Sequence, residues 1–155
     1  MRSTAFLKAA FAFLALPGMV AFAVPLLVLT PDGPSAFMLW PGAPLLVAGS
    51  FLLLWCVRDF YVEGKGTLAP WSPPQHLVVS GLYRVSRNPM YIAVVLILSG
   101  WAVGFRSRTL TLYAVLVATA FHLRVVFGEE PWLARRYGEE WVRYRVRVRR
   151  WLGWR

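Results

Sequence analysis

Four apolar runs partition the chain, at about Ala5–Leu29, Ala36–Val57, Met90–Phe105 and Thr109–Phe127. A helix rising 1.5 Å per residue needs roughly 20 apolar residues to cross a bilayer, so the first, second and fourth runs suffice. The third is short, and gains a turn if it begins at Asn88-Pro89, where proline is tolerated in a first helical turn. A soluble domain seldom carries 58% hydrophobic residues with only seven acidic side chains. The pattern therefore predicts an all-α fold. It is a single polytopic membrane domain over residues 1–155, a bundle of about four transmembrane helices followed by an interfacial C-terminal segment. Pro17, Pro25, Pro41 and Pro44 should kink or break the first two spans, which a bilayer permits only where neighbours re-satisfy the freed backbone groups.

Charge sets the topology. Seventeen Lys and Arg against seven acids give +10, and the cations gather at the ends of apolar runs and after Pro131. Anionic lipid headgroups account for that distribution. No recognisable nucleic-acid module accompanies it, so no nucleic-acid partner is expected. The loop at 30–35 has no cation, whereas Arg2, Lys8, the connector 58–89 and the tail are basic. These three regions then share one face, with both termini cytoplasmic in a bacterial-type inner membrane. Arg106 and Arg108 are the departure. The N-terminus imitates a secretory leader, with Ala21-Phe22-Ala23 after an apolar centre, but apolar character continues through Leu29. The first span is read as retained.

One cysteine, Cys56, and two separated histidines, His76 and His122, supply no thiol cluster or zinc-protease spacing, so no metal is expected. Cys56 reads as a packing residue. His122 reads either as a site residue, by its place in an apolar run, or as a satisfied buried histidine.

Two stretches stand apart from a mere anchor. LVVSGLYRVSRNPMY, residues 77–91, sets arginines, an asparagine and a proline directly against an apolar run. EEPWLARRYGEEW, residues 129–141, puts carboxylates at the end of the fourth run, where a helix C-terminus disfavours them. If a helix instead restarts at Pro131, the pair is an ordinary acidic first turn. Beyond it, aromatic residues interleaved with arginines suggest a segment at headgroup level, with Arg135, Arg136, Arg143, Arg145, Arg147, Arg149 and Arg150 as basic surface. The alternation Arg145-Val146-Arg147-Val148-Arg149 looks strand-like, so the final residues are expected to leave the helix.

The two stretches, in this order and at membrane edges, resemble the isoprenylcysteine carboxyl methyltransferase and phospholipid methyltransferase superfamily over roughly Gly64 to Trp151. The resemblance implies S-adenosylmethionine as cofactor, with contacts from Gln75, His76, Leu77, Val78, Tyr83, Asn88, Pro89, Met90 and Tyr91. It also implies Glu129 at the acceptor side with a basic residue a turn earlier, for which Arg124 is nearest. The offset from Arg124 to Glu129 is one residue longer than in the eukaryotic enzymes. Gly64-Lys65-Gly66 resembles the family's Gly-x-Gly, though alone it is a flexible turn. These residue types suit such a ligand: Leu77 and Val78 to wall adenine, tyrosine rings near a sulfonium, and Asn88 as donor and acceptor.

Methyl transfer from a sulfonium needs mainly alignment and exclusion of water. A carboxylate or thiolate acceptor needs no base, whereas an amine must lose a proton that Glu129 could take. The acceptor is expected to be lipophilic or a small molecule entering from the bilayer. Isoprenylcysteine-like carboxylates, phospholipid amines and thiols all remain open. A sterol-reductase-like enzyme using reduced nicotinamide and a non-enzymatic membrane protein are the rival readings.

Overall fold

Residues 14–29, 39–62 and 76–153 of the computed structural model are described below, and they form helices and turns. A π-helical segment, Leu14–Ala23, leads into α1 (Val24–Leu29). α2 spans Leu39–Val62, a 3-10 turn follows at Gly81–Arg84, and α3 spans Pro89–Gly104. α4 (Arg108–Arg124) passes through a π turn, Val125–Glu129, into α5 (Glu130–Tyr137), and α6 spans Glu139–Arg147. Most of the N-terminal leader-like residues, the loop at 30–35, Gly64-Lys65-Gly66 and Gln75 lie outside the described residues.

Two helical stretches are long and apolar enough to cross a bilayer, Pro41–Asp59 and Arg108–Tyr137, while Pro17–Val28 and Pro89–Gly104 are apolar but shorter. The third run behaves as its sequence suggests. Pro89 opens α3 because its missing N–H is one that a first turn leaves unpaired anyway. The fourth run, in contrast, does not stop at Phe127. It continues to Tyr137, because Glu129 and Glu130 find cationic partners and Pro131 sits in the first turn of α5, where it breaks nothing.

The prolines of the first run are tolerated through neighbours. Pro25 has no N–H to offer the preceding turn, and two carbonyls there accept from elsewhere. Trp101 Nε1 donates to the Ala21 carbonyl at 3.0 Å, and the Tyr113 hydroxyl donates to that of Val20 at 3.2 Å. Both donors come from α3 and α4, so the same bonds that satisfy the bent helix attach it to the bundle.

α2 lies directly against α3. A β-carbon on Gly42 would come within 2.8 Å of Gly104 Cα, and one on Gly49 within 2.8 Å of the Ala93 carbonyl oxygen. Small residues let the two backbones meet, which is how helices associate where apolar side chains gain little from leaving lipid. Around the seam, Leu53, Ala93, Val94, Ile97 and Leu98 are almost wholly buried, joined by Ala21 and Ala114.

The strand-like alternation at Arg145–Arg149 holds only at its end, since Arg145, Val146 and Arg147 are helical while Val148 and Arg149 lie outside the helix. Trp141, Tyr144 and Val148 recur at helical spacing and form one buried cluster, and burying that face outweighs the local alternation. Val148 leaves the helix with φ −117° and ψ 132°, in the extended region.

Gly42→Val is expected to force α2 away from α3 and lower stability by about 1–3 kcal/mol. Gly128→Ala, whose β-carbon would meet nothing within 4 Å, should cost nothing. Thermal melting of the two purified variants in the same detergent checks the contrast.

Candidate active site

The quoted stretches meet at one end of α3 and α4. Tyr91 stands in the first turn of α3, and its hydroxyl donates to Glu129 Oε1. Arg124 Nε donates to the same oxygen at 2.8 Å. The Tyr91 ring lies on Phe121 of α4, with centroids 4.3 Å apart. These contacts tie the start of one helix to the end of the next.

The π turn between Arg124 and Glu129 explains their spacing. Hydrogen bonds in a π turn span five residues rather than four, so one extra residue is taken up locally and the side chains at its two ends still face each other. The offset that looks one residue too long in the sequence is the length this turn requires.

Glu130 points elsewhere, as successive residues on a helix must. Arg87 Nη1 approaches its Oε1 at 2.9 Å, and Arg150 grips both oxygens, at 2.8 and 3.0 Å. The Arg87 guanidinium lies 5.4 Å over the Trp141 ring. Burial pulls Arg87 below its ordinary pKa, and Glu130 beside it pushes it back. So the acidic pair divides its work. Glu129 joins α3 to α4, and Glu130 joins the connector to the tail.

The tail strap, residues 148–153, is held mainly through its backbone. Arg87 N–H donates to the Arg149 carbonyl at 3.0 Å, and Asn88 Nδ2 to that of Arg150 at 2.9 Å. Ser86 Oγ also donates to the Arg150 carbonyl, at 3.4 Å, and accepts from Asn88 N–H at 3.0 Å. Asn88 therefore spends its side-chain donor on the strap and keeps its amide oxygen for another partner. Arg150, expected among the surface arginines, is instead partly buried by this ion pair. Trp151 crosses to α4 and stacks on the exposed His122, with centroids 5.9 Å apart. His122 is thus neither buried nor hydrogen-bonded into the core.

The remaining residues of the connector divide between two clusters. Val78 packs with Cys56 and Tyr83, Leu77 against Trp141, Tyr144 and Val148, while His76 is exposed. The two apolar side chains thus face apart and do not wall one slot together. The backbone N–H and C=O groups of His76–Val79 make no hydrogen bond to the described residues, which leaves a polar edge. The Tyr144 hydroxyl donates to the Tyr83 carbonyl at 2.7 Å. Burial pushes both phenols above their ordinary pKa, so both remain protonated. Pro89 is buried at the start of α3, and Met90 packs between the Cys56 cluster and the main core.

One residue escaped the sequence reading. Asp59, 1% exposed, has no partner for Oδ2 among the described residues. An acid closing an apolar run was the available signal, since such a group is costly there unless used.

Between α3 and α4, beginning at Tyr91 and Trp151, runs an apolar groove of about 320 Å³ floored by Val95 and Phe121. A second hollow of about 240 Å³ shares Val95 and Ala118 with it and continues along Ala102 and Ala114. The polar triad and the greasy groove share Tyr91.

Residues 37–140 match the family described as phospholipid methyltransferase. An uncharacterized protein of Haemophilus influenzae is 30% identical over 63 residues, which is 41% of this chain and 100% of that protein. No solved structure matches the chain. The matched family region holds Tyr91, Arg124 and Glu129 and ends before the strap residues Arg150 and Trp151.

Glu130→Gln should leave Arg87 and Arg150 without their counter-ion and destabilise the protein by about 3 kcal/mol. Limited proteolysis should then cut within residues 148–153 sooner than in wild type, alongside a lower melting midpoint.

Proposed function

The chain belongs to the phospholipid methyltransferase family, and on that premise we propose that it is an integral membrane methyltransferase using S-adenosylmethionine on a lipophilic acceptor. The observation that carries this reading is the meeting of Tyr91, Arg124 and Glu129 on one carboxylate oxygen at the head of the α3–α4 groove. Two motifs distant in the chain would have no reason to converge there in a simple anchor.

The membrane arrangement proposed is a single domain of four spans. The two long stretches are joined by the shorter Pro17–Val28 and Pro89–Gly104. Both termini and the connector lie on the cytoplasmic side, where the basic α5 and α6 rest on anionic headgroups.

The residues fit the donor. The free backbone edge at His76–Val79 suits adenine, and Asn88 retains an acceptor beside Tyr91. When bound, S-adenosylmethionine supplies a methyl group already activated by its sulfonium charge. The work left to the protein is to align the acceptor, exclude water and manage any proton.

Glu129 is oriented by its two donors, Tyr91 and Arg124. With an amine acceptor, Glu129 takes the proton that the nucleophile must lose. With a carboxylate acceptor, the partly exposed Arg124 guanidinium holds the acceptor's charge instead. The groove receives the acceptor's hydrocarbon portion, and Trp151 with the strap covers its polar end.

Membranes containing the protein, incubated with methyl-labelled S-adenosylmethionine, should yield a labelled lipid-soluble product by mass spectrometry. Glu129→Gln should reduce product formation at saturating donor by roughly 10²-fold or more. A protein that binds reduced nicotinamide and not S-adenosylmethionine would refute the assignment.

A further inference from the structure

Asp59 lies at the C-terminal end of the Pro41–Asp59 span in α2, one turn after the buried Cys56, and only 1% of its surface is exposed. Arg58 Nη1 approaches its Oδ1 at 3.2 Å from a side chain that is 68% exposed. Its Oδ2 has no hydrogen-bond partner among the described residues. A buried carboxylate oxygen without a donor is costly, and the C-terminal end of a helix, with its outward carbonyls, raises the cost further. The neighbouring Cys56 and Tyr83 give no packing reason for an acid. Unpaired buried polar atoms in native proteins call for a ligand, a catalytic role or stored strain.

The backbone beside it is shaped for close approach. Gly81 adopts φ +55° and a β-carbon there would collide with Asp59 Oδ2, so the connector passes the carboxylate with no side chain between. The same β-carbon would lie 3.5 Å from the indole Nε1 of Trp55, itself 40% exposed. Neither Gly81 nor Trp55 bonds to the free oxygen, so moving them aside breaks no hydrogen bond with it. Ser80 separates Gly81 from the backbone edge of His76–Val79, and Tyr83 stands two residues after Gly81.

The missing partner is a donor and not a cation. Arg58 already supplies a positive charge on the other oxygen, so an ammonium group would meet a carboxylate already partly compensated. A neutral hydroxyl gives what Oδ2 lacks at little desolvation cost. We propose that Asp59 Oδ2 accepts a hydrogen bond from a ribose hydroxyl of the methyl donor, making Asp59 a binding residue for the nucleoside half of that molecule. This rests on the methyltransferase reading above and adds to it a residue outside the two motifs.

The test is a pair of measurements on Asp59→Asn, a substitution that keeps the shape and removes the charge. In the absence of donor, replacing the carboxylate with a neutral amide should leave the melting midpoint unchanged or raise it by up to roughly 4 °C. Affinity for tritiated S-adenosylmethionine in equilibrium dialysis should fall about 10–100-fold. A donor analogue lacking both ribose hydroxyls should bind wild type and Asp59→Asn equally, whereas 5′-methylthioadenosine, which keeps the ribose and lacks the amino-acid arm, should still register the substitution.

Unchanged donor affinity in Asp59→Asn overturns the inference alone and leaves the methyltransferase reading intact. So does a fall in melting midpoint together with affinity, the behaviour of a structural carboxylate. A loss that the dideoxy analogue shares, or that 5′-methylthioadenosine does not, overturns it too. Wild type that binds no S-adenosylmethionine overturns both.

Discussion

The contact between α2 and α3 is the constraint on which the other positions depend. With Gly42 and Gly49 set against Gly104 and Ala93, the two backbones touch without intervening side chains. That closeness fixes where α3 begins, and α3 begins with Pro89, Met90 and Tyr91. It also fixes the end of α2, where Cys56 packs against Val78 and Tyr83. Helices separated by full-sized side chains would let the connector slide relative to Tyr91. Here the small residues make the spacing a property of the backbone.

On that frame, the adjacent acids Glu129 and Glu130 act as a double fastener. A helix sends neighbouring side chains in different directions, so the pair reaches two partners sets at once. One acid takes Tyr91 and Arg124, the other Arg87 and Arg150. The π turn matters because it lets a helix carry one more residue than α geometry allows between Arg124 and Glu129 while keeping them face to face. The strap then closes over the Asn88 stretch through main-chain carbonyls of Arg149 and Arg150, a mode of attachment that depends little on which side chains stand there. One short stretch thus ties the start of α3 to α4 and the connector to the tail, and these partners explain why carboxylates stand at the end of an apolar helix that would otherwise reject them.

Much of this was legible beforehand. The apolar runs and the helix start at Pro89 follow from hydropathy and proline chemistry, and the family resemblance set Arg124 beside Glu129; that Tyr91 joins them came only from the structure. What was misread had a local cause each time. Arg145–Arg147 looked strand-like because alternation has a period of two, but the buried Trp141, Tyr144 and Val148 recur with the period of a helix, which ends only at Arg147. Arg150 looked like surface because nothing near it in sequence announces Glu130 as its partner, twenty residues away. That Leu77 and Val78, adjacent in the chain, join different buried clusters was not visible in the sequence.

Composition and pattern by themselves determined that the chain folds as helices suited to a bilayer, where the helices start, and which polar residues stand at their ends. These are properties of single segments, governed by hydrogen-bond satisfaction and apolar length along one stretch of chain. Only the tertiary structure decided which polar groups meet: that Glu129 and Glu130 part company, that Asn88 gives its donor to the strap, and that Asp59 keeps an oxygen unbonded among the described residues. Partnerships of that kind depend on distances between segments far apart in sequence. Those distances are set by how closely helices pack, a quantity that no single segment encodes.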